Sequence, residues 1–344
     1  WALRWLLLAH ITEMTKIAVA IPCYKVRKHI LDVISRIPAS VQRIYVVDDK
    51  CPEESGLLVQ QDCTDPRIHV IFHESYTIIC LRKSNQGVGG AIRSAYKKAL
   101  DDGMDIIVKV DGDGQMDPSL IPLFTTPIEK RHADYTKGNR FFQPASLRQM
   151  PAIRLIGNAA LSIINKFSSG YWSIMDPTNG YTAIHVHVLR ELPLDDLERR
   201  YFFESDMLYQ LSLVRAVVHD VPMNAVYADE KSNLKITKVL PEFAVKHAIR
   251  FFKRYAYQYL LRDFNIGSLY SISGMLMLIS GAGFGIYGWL QSVATDVPAT
   301  SGTVMLAALP IIIGIQFIIA FLHHDVSREP VTPLLADLPD AARL

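Results

Sequence analysis

Val108-Lys-Val-Asp-Gly-Asp-Gly-Gln115 runs an apolar strand into two carboxylates, Asp111 and Asp113, one residue apart. Carboxylates at the C-terminal edge of a parallel sheet stand where open α/β folds bind ligands. Alternate residues of such a turn both reach a hard cation, which takes oxygen ligands and bridges substrate phosphates. A helix-loop-helix calcium loop also opens with Asp-x-Asp. Here its sixth position is Met116 instead of Gly and its twelfth is Pro122 instead of Glu, so that reading fails.

Outward from this stretch, other strands end in polar residues. Asp48-Asp49 closes the run before it, and Asn85-Gln-Gly-Val-Gly-Gly-Ala91 opens a helical pattern. A dinucleotide fold wants Gly-x-Gly-x-x-Gly directly after its first strand. The first strand here ends in Pro22-Cys-Tyr24 instead, which argues against an oxidoreductase. From Lys16 to about Tyr227, short β-rich runs alternate with helical ones, the pattern of a mostly parallel sheet covered by helices. Strands are expected at Ile17–Ile21, Arg43–Val47, Ile68–Phe72, Ile106–Val110 and Tyr181–His185, and helices at Val26–Arg36, Gly90–Leu100 and Ile153–Phe167.

The character of the chain changes at Ile266. Ile266 to Leu290 and Val304 to Leu322 carry no charge and match the roughly 20 residues that cross a hydrocarbon core. The connecting Gln291–Thr303 has no Lys or Arg, whereas Lys246, Arg250, Lys253, Arg254 and Arg262 precede the first span. The positive-inside rule then puts both ends of the hairpin, and the α/β portion, in the cytoplasm. Val239–Phe264 interleaves those basic residues with aromatic and aliphatic ones and reads as amphipathic helix in the membrane interface, its cations near lipid phosphates. Gly274, Gly281, Gly285 and Gly288 suit close helix packing, within one chain or between copies in a homo-oligomer.

The formal net charge of the 344 residues is only +2, so no global basic field argues for nucleic acid. Cys23, Cys51, Cys63 and Cys80 are irregularly spaced, unlike a zinc site, and read as reduced thiols. Trp1–Ala9 is apolar but too short to span, and Trp1–Glu13 reads as an extension upstream of the natural start at Met14.

The succession Ile21-Pro-Cys-Tyr24, Val46-Val-Asp-Asp49, Asn85-x-Gly-x-x-x-Ala91 and Asp111-x-Asp113-x-Gln115 resembles the inverting family 2 glycosyltransferases of the GT-A fold. Within them the chain is most similar to the polyprenyl-phosphate glycosyltransferases, over about Lys16 to Leu322. The resemblance implies a Rossmann-like GT-A domain at 16–235, juxtamembrane amphipathic helices at 236–264, a transmembrane hairpin at 265–325 and a tail at 326–344, after an extension at 1–15. It implies a nucleotide-sugar donor, a polyprenyl phosphate acceptor, Mg²⁺ or Mn²⁺, and an integral membrane protein of the bacterial inner membrane in glycan biosynthesis.

By the same resemblance, Pro22, Tyr24, Asp48 and Asp49 hold the nucleoside, with Asn85 and Gly87 beside the donor. Asp111 and Asp113 bind the cation and the diphosphate, with Gln115 next to them. Gly138-Asn-Arg140 resembles the Gly-x-Arg segment whose arginine meets phosphate, and Arg154 and Asn158 resemble the acceptor-phosphate contacts. Asp176-Pro-Thr-Asn-Gly-Tyr181 resembles the turn lining the sugar pocket. Glu204 and Asp206 stand where relatives place acidic residues near the acceptor, the position of a general base for an alcohol. Lys235 is the match for a donor-phosphate cation.

Lys25-Val26 and Lys50-Cys-Pro52 depart from the family's usual residues after the first two strands, and Ser75–Lys83 is an extra apolar run with no assigned role. The rival readings are a processive polysaccharide synthase, which wants a Gln-x-x-Arg-Trp segment and more membrane helices, and a non-catalytic membrane scaffold.

Overall fold

The structure is a computed structural model and describes residues 15–73, 85–142, 152–224 and 236–337. In chain order it contains β1 (Ile17–Cys23), α1 (Ile30–Ser35), β2 (Val41–Asp48), α2 (Ser55–Asp62), β3 (Ile68–Phe72), α3 (Gly87–Asp101) and β4 (Ile106–Lys109). There follow α4 (Ile121–Glu129), β5 (Tyr135–Asn139), α5 (Ala152–Ser169), β6 (Thr182–His185), α6 (Val186–Arg190), α7 (Phe203–Val214) and β7 (Val218–Pro222). The last elements are α8 (Ile236–Tyr255), a π-helical turn (Ala256–Leu261), α9 (Ile266–Thr295) and α10 (Ser301–Ser327).

The seven strands form one sheet in the order β3-β2-β1-β4-β6-β5-β7. β1 runs parallel to β2 and β4, β2 to β3, and β5 to β7, while β6 is antiparallel to both its neighbours. The strand order reverses between β1 and β4, which opens the crevice at their carboxyl ends where doubly wound sheets bind ligands. β1 and β4 are buried on both faces, as a sheet covered by helices requires. Helix α3 buries Ala91, Ala95 and Ala99 at four-residue spacing together with Ile92 and Tyr96, and packs on β1 and β2.

Two strands lie outside the sequence expectation. Every residue of β5, Tyr135-Thr-Lys-Gly-Asn139, is buried although only the first is apolar. β7 ends in Pro222 and lies at the sheet edge, the place where a strand tolerates proline. Helix α1 starts at Ile30 instead of Val26, after Lys25 turns left-handed with φ 59°.

The chain divides into two compact units: residues up to His247 together with those from Pro330 onward, and Ala248–Glu329. In the first, the segment that follows the apolar helices returns to the sheet. Asp134, fully buried at the start of β5, accepts the backbone N–H groups of Leu334 (2.9 Å), Leu335 (3.1 Å) and Val217 (2.7 Å). Leu335 thereby joins the hydrophobic core.

In the second unit, α9 and α10, 30 and 27 residues long, are each long and apolar enough to cross a membrane. Only 17% and 11% of their most apolar windows are buried, unlike core helices of a soluble protein. Their contact is lined by small residues. A Cβ on Gly274 would stand 3.1 Å from the Gly314 carbonyl, and one on Gly281 would stand 2.9 Å from that of Ala307. Gly285 and Gly288 also face α10, against Ala307 and Thr303, so all four glycines pack the hairpin on itself. One expectation is corrected here. Arg254 does not project toward lipid phosphates, because its guanidinium makes a two-point pair with buried Asp325 (2.7 and 3.0 Å), which also accepts from Tyr259 at 2.6 Å. In the first unit, Lys246 is held by Glu198 and Glu242.

Candidate active site

The Asp-x-Asp turn sits where β4 leaves the sheet between β1 and β6. Gly114 adopts φ +78°, a left-handed turn that glycine enters without steric cost, and the Asp113 carboxylate accepts the Gln115 N–H at 3.0 Å. Both acidic side chains and Gln115 stay partly exposed at the crevice.

Beneath the turn lies a charge the motif does not contain. Lys109, last residue of β4, is 1% exposed, and its ammonium donates to Asp111 Oδ1 at 2.7 Å and to the Gly180 carbonyl at 3.0 Å. It also lies 3.3 Å from Glu204 Oε1, in the first turn of α7. Burial alone would lower its pKa. The Asp111 and Glu204 carboxylates outweigh that and hold the group charged, above the ordinary lysine value.

Gly180 is required by this packing. A Cβ there would lie 2.6 Å from Asp111 Oδ2 and would collide with the Lys109 ammonium. The glycine therefore leaves a cradle over the second Asp111 oxygen. Among the described residues no group of three or more His, Cys, Asp or Glu side chains gathers into a ready-made metal cage. Two exposed carboxylates are nevertheless a fitting donor set for Mg²⁺ or Mn²⁺, since such ions bind through one or two carboxylates plus substrate phosphates and water.

The turn 176–181 is held by a second buried lysine. Lys137, in the middle of β5, donates to the Asn179 carbonyl at 2.5 Å. Burial lowers its pKa to about 8, against the opposing pull of Glu204 and Asp176. Arg140 follows β5, and its guanidinium clamps the fully buried Asp176 through Nε (2.7 Å) and Nη2 (2.9 Å). The neighbouring Asp220 of β7 has its pKa raised to about 6 by burial, although Asn139 and the Met175 N–H donate to it.

The other acidic pair is spent on the fold. Asp48 is 6% exposed and accepts the N–H groups of Cys51 and Gly56, both at 2.8 Å. Asp49 is 3% exposed and accepts those of Gln86 (2.8 Å) and Gly87 (2.7 Å), with His73 Nδ1 at 3.1 Å. It thus ties the end of β2 to the Asn85-Gln-Gly87 segment opening α3, where Gly87 takes φ +80°. Tyr24 lies 43% exposed past β1, with the Lys25 ammonium over its ring, and Pro22 is half-buried.

The expected donor residues Pro22, Tyr24, Asp48, Asp49, Asn85 and Gly87 therefore collect with Asp111, Asp113 and Gln115 along one edge of the sheet, at the ends of β1, β2 and β4. Arg140 and Glu204 lie on the β5 and α7 side. Asp206 is fully buried and accepts the Glu198 N–H at 2.9 Å. Asn158 stands half-exposed in α5, one turn beyond Arg154, whose backbone starts that helix and whose side chain is outside the described residues. Lys235, the Ser75–Lys83 run and Trp1–Glu13 also lie outside them. The motif reading did not single out Lys109, Lys137 or Asp220. The available signal was a lysine inside each of two buried strands, a charge that must find a partner.

The family described as "Glycosyl transferase family 2" matches residues 18–193, more than half of the chain. Among curated relatives, the UDP-N-acetylglucosamine–dolichyl-phosphate N-acetylglucosaminyltransferase of Methanococcus voltae is 26% identical over 68% of this chain and 94% of its own length. The undecaprenyl-phosphate mannosyltransferase of Micrococcus luteus is 28% identical over 53% of this chain and 71% of its own. Glucosyl-3-phosphoglycerate synthase from Mycobacterium tuberculosis, crystallised with Mn²⁺, UDP and glucosyl-3-phosphoglycerate, superposes with a TM-score of 0.51 at 15% identity, over 70% of this chain and 80% of that one. The mixed sheet and its neighbours are those of the GT-A fold, and the chain belongs to glycosyl transferase family 2.

Proposed function

We propose that this glycosyltransferase moves a sugar from a nucleotide-sugar donor to a polyprenyl phosphate, inverting the anomeric carbon, at the cytoplasmic face of the membrane. The observation that carries this reading is the pair of half-exposed carboxylates at the β4 edge in a chain that also holds two membrane-length apolar helices. Support for the acceptor comes from the two curated relatives, whose names specify dolichyl and undecaprenyl phosphate.

Asp111 and Asp113 would hold Mg²⁺ or Mn²⁺, with Gln115 beside them; the ion would neutralise charge on the leaving nucleoside diphosphate. The nucleoside lies along the β1 and β2 ends. Tyr24 and Pro22 offer it a surface, and Asp48 and Asp49 shape the loops around it together with Asn85 and Gly87. Gly180 leaves room above Asp111. Arg140, fixed on Asp176, is assigned to the acceptor phosphate, and Arg154 and Asn158 are assigned there by the resemblance. Lys235 is assigned to the donor phosphates by resemblance alone. A phosphate monoester is ionised near neutral pH, so the attacking oxygen needs no base, and positioning with charge neutralisation supplies most of the rate.

Two observations support the membrane orientation. Residues up to His247 and those from Pro330 onward belong to one compact unit, which favours an even number of crossings between them and one side for both. The basic residues preceding the first span and the lack of any in the external turn make that side the cytoplasm, in a bacterial cell the inner face of the inner membrane. Detergent-purified protein incubated with polyprenyl phosphate and a panel of radiolabelled nucleotide sugars tests this. Label entering the lipid phase with one donor, and lost on adding EDTA, is expected. No lipid product with any donor overturns the reading.

A further inference from the structure

The buried Lys109 bridges Asp111, at 2.7 Å, and Glu204, at 3.3 Å, and is 1% exposed. Glu204 is itself only 9% exposed and sits in a helix whose first turn is otherwise buried. A general base must present a free oxygen to the proton it removes. Glu204 instead spends its charge on an ammonium beneath the cation-binding carboxylate. The ammonium hydrogen-bonds Asp111 Oδ1 and the Gly180 carbonyl, while the Glu204 charge 3.3 Å away offsets the positive charge that a cation at Asp111 would otherwise meet.

We propose that Glu204 and Lys109 are positioning residues that act as a charge-balanced strut: the Lys109 ammonium holds Asp111 Oδ1 in place, and Glu204 offsets its positive charge so that the carboxylate stays available to the divalent cation. This rests on the functional reading above and assigns Glu204 a part other than base. It also makes the acceptor's own ionisation, and not an enzyme carboxylate, responsible for the nucleophile.

The charges make the sign of each substitution definite. Lys109, Asp111 and Glu204 together carry one net negative charge. Glu204→Gln makes the trio neutral and leaves the Lys109 charge unopposed beneath Asp111. Lys109→Met combined with Glu204→Gln restores the single negative charge without the strut. The full-length protein in detergent is titrated with Mn²⁺, free ion being followed by its paramagnetic resonance signal, and turnover is measured in parallel at saturating Mn²⁺.

Glu204→Gln is expected to raise the Mn²⁺ dissociation constant about tenfold, the scale of one partly screened charge pair, and to lower turnover more at limiting than at saturating Mn²⁺. The double variant is expected to recover Mn²⁺ affinity to within about threefold of wild type but to lose kcat, because Asp111 is no longer oriented. The double variant is nearly isosteric and neutral at the buried positions, so it guards against Lys109→Met alone failing to fold. Unchanged Mn²⁺ affinity with kcat abolished in Glu204→Gln is the signature of a base and overturns the strut alone. A wild-type protein that binds no Mn²⁺ even with a nucleoside diphosphate present overturns the strut and the metal-dependent reading together.

Discussion

Two acidic pairs end β2 and β4, the strands that flank β1 in the same sheet, and are held in opposite ways. Asp48 and Asp49 are 6% and 3% exposed and accept four backbone N–H groups between them. Asp111 and Asp113 remain partly exposed, and Asp111 is backed by a buried lysine. The comparison teaches that residue type at a strand end does not decide what the residue can do; what decides is whether the following chain buries the carboxylate. After β2 the chain turns back within a few residues and buries Asp48. After β4 the Gln115 N–H reaches Asp113, yet Asp111 and Asp113 both stay partly exposed.

The contrast breaks most sharply at Asp113. Asp113→Asn is expected to lower kcat/KM roughly 10²- to 10³-fold, the scale of losing a preorganised electrostatic contact to the reacting groups. Its unfolding midpoint should stay within about 0.5 kcal/mol of wild type, as for a partly exposed site. Steady-state kinetics and denaturant unfolding in detergent check both. An inactive variant that is also badly destabilised would put Asp113 with the loop builders.

Asp49→Ala sits on the other side. It strands the N–H groups of Gln86 and Gly87 and removes the Nδ1 partner of His73, whose Nε2 keeps Ser94, so a loss of about 2–3 kcal/mol in stability is expected. Activity at a temperature where the variant is folded should fall less than in Asp113→Asn. A stable variant with no activity would move Asp49 into direct contact with the donor. Asp134 extends the builder class to a distant segment. Asp134→Ala should cost about 1–3 kcal/mol, because the buried N–H of Leu335 and the part-buried ones of Leu334 and Val217 lose their acceptor. Limited proteolysis should then cut the chain near Pro330 sooner than in wild type. An unchanged cleavage pattern would mean the returning segment is held by Leu335 and the core alone.

The parallel half of the sheet and both apolar helices were legible because each has a pattern that survives without tertiary context: β-branched runs ending in Pro22-Cys-Tyr24, Asp48-Asp49 and Asp111, and unbroken apolar stretches in α9 and α10. β5 and β7 were not. Tyr135-Thr-Lys-Gly-Asn139 becomes a strand because Lys137 reaches the Asn179 carbonyl and Thr136 the Phe124 carbonyl, partners no local pattern announces. The candidate site divides the same way. The placement of Asp111 and Asp113 at a strand end was readable from spacing, whereas Glu204 as the partner of Lys109 was not, since the contact joins the end of β4 to the first turn of α7. Arg254 illustrates the converse error: a basic residue before a span reads as a lipid contact until Asp325 of a helix far along the chain is seen to claim it.

The smallest effect separates an acid that builds by charge from one that is merely tolerated. Asp220 has one oxygen bonded to Asn139 and the Met175 N–H, while its Oδ1 is buried without a hydrogen-bond partner. Burial raises its pKa to about 6, with Lys137 pulling the other way. A carboxyl whose folded pKa exceeds its unfolded one binds its proton more tightly in the folded state. Its contribution to stability is therefore complete near pH 4 and is lost as pH rises through 6. Asn at this position imitates the neutral acid and keeps the acceptor used by Asn139 and Met175. Asp220→Asn should flatten the fall in stability between about pH 4 and pH 7 and leave the variant about 1 kcal/mol more stable at pH 7. Lys137 does not blur the result, because its lowered pKa of about 8 places its own effect above that window, with stability rising as pH climbs toward the ordinary lysine value. Unfolding midpoints across pH 4 to 8 that run parallel in the two proteins would show Asp220 ionised at no cost, and would return it to the same class as Asp48 and Asp49.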